Sequence, residues 1–126
     1  MKLLMRLAQA ISLTLVLSGC AHQVADPWIA QRPAVNISEL QTRFRYPSCV
    51  VSVPLSQEQA IIRAESVGAP AINERKDWQE LTESMAPGDE LRHVWCNPRQ
   101  GRGGVDLIGV FRGGHLVAEV HTVFVD

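Results

Sequence analysis

The chain has 126 residues, with 12 Lys and Arg against 13 Asp and Glu and a formal net charge of −1. That length fits one domain. The near-balanced charge, with no cluster of Lys and Arg, argues against nucleic acid or an anionic lipid surface as a partner.

Residues 1–19 read as a targeting segment rather than as part of the fold. Lys2 and Arg6 form a positive start, residues 7–17 are apolar except for Gln9, Ser12 and Thr14, and Ser18 and Gly19 are small. The apolar run is too short to cross a hydrocarbon core, which takes about 20 residues. An ordinary secretory signal or a buried helix is the plainer alternative. However, the run ends in Leu17-Ser18-Gly19-Cys20, which resembles the lipobox of bacterial lipoproteins. The resemblance implies cleavage before Cys20, diacylation of its thiol (palmitate among the acyl groups) and, usually, acylation of the new N-terminus. Several acyl chains at about 0.8 kcal/mol per buried CH₂ make a permanent anchor. In the sorting rule of Gram-negative envelopes, a residue other than Asp after the cysteine favours the outer membrane, and Ala21 satisfies it. The implied address is the inner leaflet of the outer membrane, facing the periplasm. Without Lys2 and Arg6, residues 20–126 carry 10 basic and 13 acidic side chains, a net charge of −3.

The three cysteines then divide. Cys20 goes to lipid, and export places Cys49 and Cys96 in an oxidising compartment, where an even pair reads as a disulfide. Two buried free thiols, or a reactive one, are the competing readings. A domain this small benefits from a covalent staple.

Residues 20–47 read as the lipidated cysteine and a flexible tether, with Pro27, Pro33 and Pro47 and no sustained period. Ser38-Glu39-Leu40-Gln41 is similar to a capping box and is read as the start of one helical turn. Trp28-Ile29 is an apolar pair in polar surroundings. It docks on the domain, rests at the lipid surface or meets a partner.

The domain proper is expected over residues 48–126. The β-branched run 49–53 predicts a short strand ended by Pro54. Ser56 and Gln59 form a capping box that starts a helix with Ala60, Ile61, Ala64 and Val67 on its buried side. Gly68 supplies the left-handed stop and Pro70 prevents resumption. A second helix is predicted over 74–85 with Asn73 as cap and Trp78, Leu81 and Met85 inward, ended by Pro87-Gly88. Residues 90–96 alternate, placing Leu91, His93 and Trp95 opposite Arg92, Val94 and Cys96. Strands at 105–112 and 115–125 flank Gly113-Gly114, a two-residue hairpin signal. Regular pairing from that turn sets Phe111 against Leu116, Gly109 against Ala118, Leu107 against Val120 and Asp106 against His121, with one apolar face and one wet face.

Three constellations bear on chemistry. Asp106 and His121, expected side by side, form the best acid/base pair, although a surface ion pair is the plainer reading. His93 and Cys96 are spaced like metal ligands, but three apart on a strand they point to opposite faces, so no metal and no other cofactor is expected. The Gly-rich loop 97–104 carries Arg99 and Arg102 and is the best candidate for anion or protein recognition. It lacks the Lys-Ser/Thr of a phosphate loop, and a plain connector is its bland reading.

A second resemblance concerns the domain. A helix ending in Val67-Gly68-Ala69-Pro70 before an antiparallel sheet is similar to the small accessory lipoproteins of the outer-membrane β-barrel assembly machinery, which have an ααβββ domain. The strand near Cys49, the cysteine pair and the lack of Gly-Met before the helix depart from that family. Pro87-Gly88-Asp89-Glu90-Leu91 and the final hairpin also look like a loose group of small bacterial proteins that carries no function with it. The expected fold is α+β, two helices on a three- or four-stranded antiparallel sheet in the order βααβββ. The expected function is a non-catalytic binding or assembly-accessory module of the cell envelope. The alternative is an inhibitor or immunity-type lipoprotein acting on a periplasmic hydrolase through Arg99 and Arg102. A small hydrolase is the third reading.

Overall fold

The computed structural model describes residues 27–97 and 104–124. The chain is α+β. Helix α1 (Ile37–Phe44) precedes strand β1 (Ser48–Val51). Helix α2 (Gln57–Ser66), a 3₁₀ turn (Ile72–Glu74) and helix α3 (Lys76–Glu83) follow, then strands β2 (Glu90–Asn97), β3 (Val105–Arg112) and β4 (His115–Phe124). The four strands form one antiparallel sheet in the order β1-β2-β3-β4.

Local signals decide α2. Ser56 Oγ accepts from the Gln59 amide at 3.1 Å, while the Gln59 side chain accepts from the Ser56 amide at 2.9 Å. This closes the predicted capping box, a feature worth about 1 kcal/mol. At the other end Gly68 has φ 99°, and the Gly68 and Ala69 amides donate to the Glu65 and Ala64 carbonyls. That is the paired hydrogen-bond pattern of a glycine-ended helix. Ala60 and Ala64 are fully buried, and their small side chains let α2 approach the sheet closely. The second predicted helix is broken. Arg75 is extended (φ −76°, ψ 141°), separating the 3₁₀ turn from α3, and Asn73 does not cap it. The Asp77 carboxylate instead accepts from the Trp78 amide and from Arg75, and the Arg75 guanidinium holds its carboxyl below the ordinary value.

The stretch expected to be a tether is packed from Trp28 onward. Ile29 bridges Ser52, the Ala30 amide donates to Val51 O at 3.1 Å, and the Val53 amide donates to Trp28 O at 2.8 Å. Trp28 therefore docks on the domain. Helix α1 is capped two residues earlier than the expected Ser38, because Asn36 Oδ1 accepts from the Glu39 amide and from Ser38 Oγ. It buries Leu40, 1 % exposed, against Val51, Val94, Leu107 and Phe111. The sheet thus has helices on both faces, with α2 and α3 on one and α1 on the other, and no wet face of the expected kind.

That arrangement overturns the regular hairpin register. Gly113 and Gly114 have φ 57° and 84°, the left-handed pair of a two-residue turn, and Arg112–His115 and Phe111–Leu116 pair as expected. Val117 is then an extra residue, so that Ala118 meets Val110, Val120 meets Ile108 and His121 meets Leu107. A second extra residue, Thr122, follows before Val123 meets Asp106. The first bulge sends Ala118 and Val120 to the α2 and α3 face and Glu119 and His121 to the α1 face. Leu116 stays on the α1 face, where its Cδ1 lies 2.5 Å from the point a Cβ on Gly109 would occupy. A side chain at Gly109 would displace Leu116.

The α3-to-β2 turn is held by charge. Asp89 accepts from the Ala86 amide at 2.8 Å and from Arg112 Nε and Nη2 at 2.9 and 2.7 Å. The Arg112 guanidinium holds the Asp89 carboxyl down at about 2, against an ordinary 3.8. A depressed carboxyl contributes stability above its unfolded value and loses it as pH falls through its folded value. Denaturant unfolding followed against pH is therefore expected to show stability falling between about pH 4 and about pH 2, with a smaller fall in Asp89→Asn. An equal fall in that variant would remove Asp89 as the cause.

Candidate functional site

The described residues contain one connected polar cluster beneath α2, assembled from four elements and the docked N-terminal segment. Strand β2 places His93 and Trp95 on the α2 face. β3 supplies Asp106, cross-strand partner of Trp95, β4 supplies the bulge residue Thr122, and α2 supplies Arg63. His93 is 1 % exposed. Arg63 Nε donates to His93 Nδ1 at 3.1 Å, and His93 Nε2 meets Asp106 Oδ1 at 2.8 Å. Thr122 Oγ1 donates to the Asp106 carboxylate and main-chain oxygen. Because Arg Nε can only donate, Nδ1 must accept and Nε2 must carry the ring hydrogen that Asp106 receives. The imidazole lies 4.7 Å from the Trp95 ring. The Arg63 guanidinium sits 5.3 Å from the Trp95 centroid and 5.9 Å from that of Trp28.

This cluster is chemically committed to itself. Both His93 nitrogens are bonded and the ring is shielded, whereas a general base needs a nitrogen within reach of a substrate proton. Its direct effect is on assembly, since it ties α2 to three strands and the Thr122 bulge.

The pair singled out in the sequence does not form. Asp106 faces α2, while His121 lies on the α1 face, with Nε2 3.0 Å from Glu119 and its ring edge-on to Phe44 at 6.3 Å. The bulge at Val117 separates them, because it moves His121 opposite Leu107. Glu119 also pairs with Arg43 of α1, and His115 Nδ1 lies 2.9 Å from Glu39. Helix α1 is thus fastened to β4 by an Arg43–Glu119 ion pair and a His115–Glu39 hydrogen bond above its apolar seam. The true partner of Asp106, His93, was hidden because β2 and β3 are joined through a long Gly-rich loop whose sequence sets no register.

Cys49 and Cys96 are directly opposed between β1 and β2 and are joined as a disulfide, with Cα atoms 4.0 Å apart. His93 and Cys96 lie on opposite faces, as strand alternation requires. Among the described residues no group of three His, Cys, Asp or Glu is placed to hold a metal ion, and no cavity is found. Cys20, Arg99 and Arg102 lie outside the described residues. No described helix is long and apolar enough to cross a membrane. Compared with protein-family models, curated proteins and solved structures, the chain matches none.

Proposed function

We propose that this chain is a periplasm-facing lipoprotein, anchored through acyl chains on Cys20 in the inner leaflet of the outer membrane. Its α+β domain acts as a non-catalytic binding or assembly-accessory module of the envelope. The observation that carries the reading is the division of the cysteines. Cys49 and Cys96 are spent on each other, which leaves Cys20, at the end of the Leu-Ser-Gly-Cys box, for acylation. A cross-strand disulfide suits an oxidising compartment. The self-contained bonding of His93 and the separation of Asp106 from His121 favour binding over hydrolysis.

Expression of the full chain in a Gram-negative host with an alkyne-bearing palmitate tests the anchor. The wild-type protein is expected to take up label and sediment with outer membranes. Cys20→Ala is expected to lose the label and leave the membrane fraction. An unlabelled wild-type protein, or a labelled Cys20→Ala protein, would overturn the anchor. Crosslinking mass spectrometry in intact cells tests the accessory role, with crosslinks from the domain to an envelope protein as the expected result and none as the opposing one.

A further inference from the structure

Arg63 links the buried imidazole to the segment by which the N-terminal part of the chain joins the domain. On one side its Nε donates to His93 Nδ1, and on the other its guanidinium faces the Trp28 ring. Trp28 belongs to the segment laid along β1 through the Ala30 N to Val51 O and Val53 N to Trp28 O hydrogen bonds. Ser52, between those two β1-side residues, donates its amide to His93 O, and its hydroxyl accepts from the His93 amide. His93 therefore contacts the docking site both through Arg63 and through the main chain.

We propose that His93 is a protonation-sensitive latch for this N-terminal segment. The charged groups touching its ring among the described residues are Arg63 from α2 and Asp106 from β3. From β4, Thr122 reaches it only through Asp106. From β2, Trp95 stacks on it, and Trp28 lies beyond Arg63. A proton taken from water at Nδ1 turns the acceptor into a donor. Two N–H groups and two positive charges then oppose each other across 3.1 Å. The bond to Asp106 survives and becomes an ion pair, so the imidazolium stays seated and Arg63 is the partner that leaves. Its departure takes the cation from between Trp28 and Trp95 and loosens the 28–30 segment from β1. The latch stands on the folded domain alone. Its consequence for an anchored protein, a longer leash between membrane and domain at low pH, rests on the lipoprotein reading.

Amide hydrogen exchange on the full chain in detergent micelles tests the latch, with rates corrected for the intrinsic pH dependence of exchange. As pH is lowered from about 8 to about 5, protection at Ala30 and Val53 is expected to fall by about tenfold or more, while the Leu107 and Ile108 amides stay protected. His93→Asn keeps an acceptor oxygen near the Nδ1 position and cannot be protonated there, so its protection at Ala30 and Val53 should be independent of pH. Arg63→Met keeps the side-chain stem without the donor and should exchange fast at both pH values. Wild-type protection that does not change with pH overturns the proposal, as does a pH response retained in either variant. If His93→Asn loses protection at Leu107, it has unfolded, and the wild-type and Arg63→Met results decide. Failure of acylation at Cys20 leaves these outcomes unaffected.

Discussion

Replacing Cys49 and Cys96 together with alanine is expected to destabilise the domain by about 4 kcal/mol, the loop-closure entropy of a bridge between residues 47 apart. In a domain of this size that corresponds to a fall in Tm of more than about 15 °C. The double substitution isolates the bridge, because a single one leaves a thiol at the seam between β1 and β2. Cys96 is fully buried beneath α1, so part of the loss is packing. Adding reductant to the wild-type protein during thermal unfolding separates the two contributions, since it removes the bond and keeps both sulfurs. A wild-type Tm unchanged by reductant, with the thiols verified as free, would refute the loop-entropy account.

The second large effect is expected at Leu40. Leu40→Ala should cost about 2–5 kcal/mol, the range for a buried leucine whose cavity cannot fully collapse. The reason is its position, with its side chain between Val51, Val94, Leu107 and Phe111 on a sheet face that α1 covers. In a tether the same change would cost nothing measurable. Denaturant unfolding therefore decides whether α1 belongs to the cooperative domain. A loss below about 0.5 kcal/mol, the range of ordinary surface changes, would return residues 37–44 to the linker. The contacts of Arg43 with Glu119 and of Glu39 with His115 each have at least one solvent-exposed partner and contribute much less than this seam.

How much of this was legible in the chain follows from the range over which each signal acts. The α2 capping box, its Gly68 stop, the Gly113-Gly114 turn and the alternation of β2 each depend on residues within a few positions of one another. All four stand as read. The disulfide was legible for a different reason, since Cys49 and Cys96 are the two cysteines among the described residues and two cysteines have one possible pairing. α1 was underestimated because its inward residues Ile37, Leu40 and Phe44 span only two turns, and so short a helix is worth forming only once the sheet offers it an apolar face.

By itself, then, the sequence determined the α+β class, the start and stop of α2 and the tight hairpin turn, and it made Cys49 and Cys96 the expected pair that the structure joins. The tertiary structure alone decided that both sheet faces are covered, and from this the two bulges follow. With α1 on one face and α2 and α3 on the other, β4 gains more by turning Val120 toward α2 and α3 and leaving Val117 46 % exposed than by keeping perfect alternation. It alone matched Asp106 with His93 rather than His121, because a register across a long loop is settled by packing on both faces and not by the residues of the loop.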